Sequence, residues 1–128
     1  LLILEEQLAL AEQTNQLVLV HTPHLEDKLK GTKLILDAIE NTSLSPDRVL
    51  IDHVEEHTVR EVLGRGFWAG MTLYPDSKCT PQRAADIIEM HGTERLWINS
   101  AGGIYEPIGV RYDFNANSSY FYLYLSRL

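Results

Sequence analysis

The sequence predicts an α/β fold built on parallel strands, and three observations carry that expectation. Short unbroken runs of apolar residues recur at 17–20, 49–51 and 96–98. Runs without polar alternation read as strands buried on both faces, as in a parallel sheet. Longer stretches of helical composition separate them, and strand and helix alternate four times, the pattern of parallel strands joined by right-handed crossovers.

The elements follow in order. Leu1 to Thr14 is rich in Leu, Ala, Glu and Gln with no Gly or Pro, and reads as a helix. It resembles the middle of a helix, so the chain is expected to begin inside a larger protein. Gln16 to Val20 is the first strand and His21 follows it. Pro23 makes His21-Thr22-Pro23-His24 a loop. Leu25 to Asn41 is a helix with an apolar stripe of Leu34, Ile35, Ala38 and Ile39. The basic cluster from Lys28 to Lys33 is expected on its solvated face.

Ser45-Pro46-Asp47 is a turn before the second strand, Val49 to Asp52. Glu56 to Leu63 is a short helix ended by Gly64 and Gly66. Phe67 to Leu73 is the third strand. Thr80-Pro81 pairs an N-cap with proline at the first helical position, opening a helix that stops at His91-Gly92. Arg95 to Asn99 is the fourth strand. From Ile104 to Leu128 the rhythm breaks. Residues 120–125 are aromatic and strand-prone, an aggregation hazard if exposed. The expected division is a βα domain over 1–103 and an off-pattern tail over 104–128.

At 128 residues the chain holds one ordinary core. A net charge of -7 leaves no basic stripe to neutralise phosphates, which argues against a nucleic-acid partner. The single cysteine, Cys79, excludes an internal disulfide and fits a reducing, cytoplasmic setting. No apolar run approaches the ~20 residues of a membrane span, and the first residues lack the basic region of a signal peptide.

Chemistry is sought at the carboxyl ends of parallel strands, where functional groups project. His21 and His53 occupy two such ends and are the candidate metal ligands, since imidazole is a common ligand and titrates near neutrality. A histidine merely hydrogen-bonded at a strand end is the competing reading. Asp52 precedes His53. On a strand the two side chains point to opposite faces, so both reach one site only if the strand has ended. Capping the next helix is an equal alternative for Asp52. Glu55 and Glu56 sit where a helix dipole favours negative charge, and His57 is expected in solvent. His24, Tyr74, Asn99 and Ser100 lie on the same rim and are candidate substrate contacts, with Lys78 nearby. Ser100 lacks a nucleophile elbow. Gly102-Gly103 is too short for a dinucleotide fingerprint, and Cys79 has no partner at zinc-finger spacing.

The segments His21-Thr22-Pro23-His24, Ile51-Asp52-His53, Gly66-Phe67-Trp68-Ala69-Gly70 with Thr72 and Tyr74-Pro75, and Asn99-Ser100-Ala101 occur in a specific order. Together, over Leu8 to Ala101, they resemble the TatD-like branch of the metal-dependent amidohydrolase superfamily. That resemblance implies about half of a TIM (β/α)8 barrel, with His21 and His53 matching two histidines on successive strands. It implies a divalent ion (Zn, Mn or Mg) and hydrolysis of a phosphodiester or amide-like bond by metal-activated water.

Two parts of the family pattern are missing. No His-x-His occurs, and Gly102-Gly103-Ile104 stands where an aspartate, tryptophan and glycine are expected. A truncated or frame-shifted product, inactive or weakly active alone, is therefore expected, with no catalytic residue assigned. A second copy could supply missing strands as a homo-oligomer. The alternative is a non-catalytic open α/β domain that binds a small molecule or a protein at its strand ends.

Overall fold

The computed structural model describes residues 2–22, 26–73 and 79–100. Four strands, β1 (Val18–His21), β2 (Val49–Asp52), β3 (Trp68–Leu73) and β4 (Leu96–Ser100), form one parallel sheet in the order β1-β2-β3-β4. Helices α1 (Leu2–Thr14), α2 (Lys28–Glu40), α3 (Val59–Gly64) and α4 (Pro81–His91) alternate with them. Each strand lies beside its successor and the order never reverses. Among the described residues the sheet therefore winds in one direction, as in a (β/α)8 barrel, with no switch point of the kind found in a doubly wound nucleotide-binding sheet.

Local chemistry sets the element ends. Asp27 caps α2, its carboxylate accepting from the Lys30 amide at 2.9 Å. Thr80 caps α4 through the Arg83 amide, with Pro81 in the first turn as the sequence predicts. α3 begins at Val59, later than expected, because Thr58 and Glu55 exchange hydrogen bonds in the preceding turn. The strand ends shift by a residue, so that His21 closes β1 and Ser100 closes β4. The tail from 104, with its aromatic segment, lies outside the described residues.

The core lies between the sheet and its helices. Val20, Val49, Ile51, Ala69 and Met71 meet Leu8, Leu36, Ile39, Val59, Val62, Phe67 and Ile87 there. The expectation of strands buried on both faces is corrected. Leu17, Leu19 and Trp97 are 65%, 70% and 54% exposed on the opposite face. Together with Leu50 and Trp68 they line a groove of about 370 Å³. Among the described residues the helical layer covers one face of the sheet.

Lys28 also departs from expectation. It is buried, and its ammonium bonds Glu55 Oε1 at 2.8 Å, so it is no part of a solvated face. The carboxylate rising from the turn after β2 is what makes that burial tolerable.

Glu56 and Glu12 are among the carboxylates that link folding to acid. Arg83 bonds Glu56 at 2.7 and 2.5 Å and holds its carboxyl below the ordinary 4.5 despite partial burial. The Ser43 hydroxyl and amide do the same for Glu12, tying α1 to the turn before β2. Acids depressed in the folded state make it bind fewer protons than the unfolded chain. Their stabilisation is present above 4.5 and is lost as pH falls through the lower folded values. Urea midpoints are expected to fall in that acid range, and Glu56→Gln to flatten the decline.

Candidate metal centre at the strand ends

The exposed face changes character along the strands. Leu17, Leu19, Leu50, Trp68 and Trp97 occupy its amino-terminal part. The carboxyl ends carry His21, Asp52, Thr72 and Asn99 at alternating positions of the same strands. In register His21 pairs with Asp52 and Thr72 with Asn99, so the topology brings these side chains into one layer.

His21 and His53 converge. His53 Nε2 lies 2.8 Å from His21 Nδ1, with the ring centroids 4.2 Å apart and the planes at 78°. At this distance one nitrogen donates and the other accepts. His53 is buried, whereas His21 is exposed at the edge of the sheet.

The backbone explains how Asp52 and His53 share the site. β2 ends at Asp52, and His53 takes a φ of +61°, a left-handed conformation that costs a non-glycine residue about 1 kcal/mol. That reversal turns the imidazole towards β1 and breaks the strand alternation. The Asp52 side chain lies over β3 at Gly70, where an added Cβ would stand 2.7 Å from Oδ1. Oδ1 accepts from the His53 amide at 2.9 Å, from Thr72 Oγ1 at 3.0 Å and from Asn99 Nδ2 at 3.0 Å. Burial pushes this carboxyl upward. The bonds from Asn99, His53 and Thr72, with the charge of His53, outweigh it and hold the group below the usual aspartate range.

Other candidates are placed differently. Asn99 reaches the layer, but its amide nitrogen is directed at Asp52. His24, Tyr74, Lys78 and the Ser100 side chain lie outside the described residues. Glu55 and Glu56 engage Lys28 and Arg83 in an ion cluster behind the site. His57 is exposed as expected. Burial pushes the Cys79 thiol up to about 11, which leaves it unsuited to act as a nucleophile.

Imidazole nitrogens are ligands that a divalent transition metal takes, and these two would become available to one once the proton they share is released. Among the described residues no cluster of three His, Cys, Asp or Glu groups is poised to hold an ion. The pair would supply two ligands, fewer than the three protein ligands a catalytic zinc site ordinarily has.

No protein-family model matches the chain. An uncharacterized metal-dependent hydrolase of Methanocaldococcus jannaschii is 29% identical over 102 residues, 80% of this chain and 40% of that protein. The crystal structure of a TatD-like protein from Archaeoglobus fulgidus superposes with a TM-score of 0.63 at 35% identity. The match covers 77% of this chain and 38% of that one. The chain thus spans about two fifths of the relatives it matches. Its parallel sheet and alternating helices correspond to part of a TatD-like barrel.

Proposed function

We propose that this chain, related to TatD-like metal-dependent hydrolases, carries the part of a divalent-metal hydrolase site to which His21 and His53 contribute two ligands. The observation that supports it most is the 2.8 Å approach of His53 Nε2 to His21 Nδ1 at the ends of adjacent strands. His21 and His53 would hold a divalent ion, for which imidazole donors favour zinc or manganese over magnesium, and that ion would supply Lewis-acid activation of water for hydrolysis of a phosphodiester or amide-like bond. This chain's residues hold and orient: the two imidazoles converge, Asp52 Oδ1 accepts from the His53 amide, and Asn99 ties β4 to that carboxylate. His24, Tyr74, Asn99 and Ser100 are the proposed substrate contacts, and a reducing, cytoplasmic setting suits the lone buried Cys79.

The exposed apolar face belongs to the same reading. In a closed barrel that face is packed interior, and edge strands β1 and β4 would each pair with a neighbour. Strands from the rest of a longer protein, or from a second copy, are the proposed cover. Activity of the described portion alone is expected to be weak or absent.

The test is titration of the metal-free chain with zinc and manganese by calorimetry, beside a His21→Ala/His53→Ala double variant. Micromolar binding lost in the variant supports the reading. Absent binding, or binding indifferent to both substitutions, overturns it. That second result favours a non-catalytic α/β domain, for which the apolar groove beside Trp68 and Trp97 offers a small-molecule site.

A further inference from the structure

We propose that Asp52 is the positioning residue of the imidazole pair, its Oδ1 holding His53 turned towards His21 and its Oδ2 facing the nitrogen through which they meet. This inference rests on the metal-site reading for its consequence and on geometry for its mechanism.

Asp52 gathers a hydrogen bond from the carboxyl end of every strand in the sheet. Thr22, just past β1, donates its hydroxyl to the Asp52 carbonyl at 2.7 Å. Thr72 of β3 and Asn99 of β4 donate to Oδ1 at 3.0 Å each. The amide of His53, at the end of β2 itself, donates to the same oxygen at 2.9 Å. Thr22 and Thr72 are buried, so these bonds are shielded from competing water.

The bond to the His53 amide acts where the chain leaves the sheet. His53 adopts a left-handed φ of +61°, which is uncommon without support. Oδ1 captures the amide of that residue while β3 and β4 hold the carboxylate still. The backbone turn, and with it the direction of the imidazole, is thereby set by strands 20 and 47 residues away. Gly70 supplies the space, since any side chain there would meet Oδ1. The other oxygen, Oδ2, lies 3.8 Å from His53 Nε2. A negative charge there would favour a cation held by the imidazoles, and groups that orient metal ligands from behind typically contribute ~10–100-fold in affinity.

Two substitutions separate the roles of the oxygens. Asp52→Asn retains an amide oxygen in place of Oδ1 and removes the charge at Oδ2. Asp52→Ala removes both. The readouts are zinc affinity by calorimetry and, in the metal-free chain, the nuclear Overhauser contact between the two imidazoles. Asp52→Asn is expected to keep the ring contact and weaken zinc about tenfold, and Asp52→Ala to lose the contact and weaken zinc about a hundredfold. A folded Asp52→Ala chain with the ring contact and zinc affinity unchanged overturns the proposal. Should that variant fail to fold, unchanged zinc affinity in Asp52→Asn overturns it. If the unsubstituted chain takes up no zinc, the hydrolase reading fails alone. The ring contact then decides the positioning role, through its loss or survival in Asp52→Ala, or in Asp52→Asn paired with Thr72→Val if the alanine variant does not fold.

Discussion

Replacing Lys28 by methionine is expected to lower the unfolding free energy by about 2 kcal/mol, less than the cost of breaking a fully buried ion pair because Glu55 is partly exposed and keeps Arg83. The reason is the group left behind. Glu55 accepts the Lys28 ammonium at 2.8 Å, and without it the carboxylate keeps Arg83, whose guanidinium stands 3.5 Å away. Burial raises the Glu55 carboxyl, and Lys28 then Arg83 bring it below its ordinary range. Removing the first leaves the desolvation with less compensation. Urea unfolding of Lys28→Met beside Lys28→Met/Glu55→Gln checks this. The double variant should recover much of the loss, because a neutral amide at 55 is cheaper to bury than a carboxylate. Equal stability of the two variants would contradict it. Glu55 follows His53 by two residues, so the pair also anchors the turn from which the imidazole projects.

Gly70→Ala is expected to destabilise by about 2 kcal/mol, within the usual range for overpacking a close-packed site. Its Cβ would stand 2.7 Å from Asp52 Oδ1 and 3.3 Å from Asp52 Cα. The second of these is backbone in a neighbouring strand, so relief requires β2 and β3 to separate. Gly31→Ala is the matched control. Gly31 lies within α2 and a Cβ there meets nothing within 4 Å, so the same change should stabilise by ~0.5–1 kcal/mol through helix propensity. The two variants should therefore move the urea midpoint in opposite directions. Parallel shifts would mean that the space at Gly70 is not needed.

Much of this architecture is legible in the residues themselves. The apolar runs before His21 and His53, the Thr80-Pro81 start and the glycines at the end of α3 mark the elements to within a few residues. They also place two histidines at the ends of neighbouring strands. Asp52 was harder to read. Strand alternation puts it on the face opposite His53, and only the left-handed φ at His53 brings both into one layer. A histidine has no local mark that announces such a φ. Gly70 two residues before Thr72 was a weak hint, since glycine inside a strand often signals close approach by another group.

What the sequence by itself determined is the order and type of the elements and the chemical identity of their ends. Those depend on local periodicity, capping and turn chemistry, which act over a few residues. Only the tertiary structure decided which face of the sheet the helices cover, that Lys28 is buried on Glu55, and that Asp52 joins four strand ends. These outcomes rest on contacts between residues 20 to 47 positions apart. An apolar run records that a strand can be buried, whereas its covering neighbours are set by the direction in which successive βα units wind.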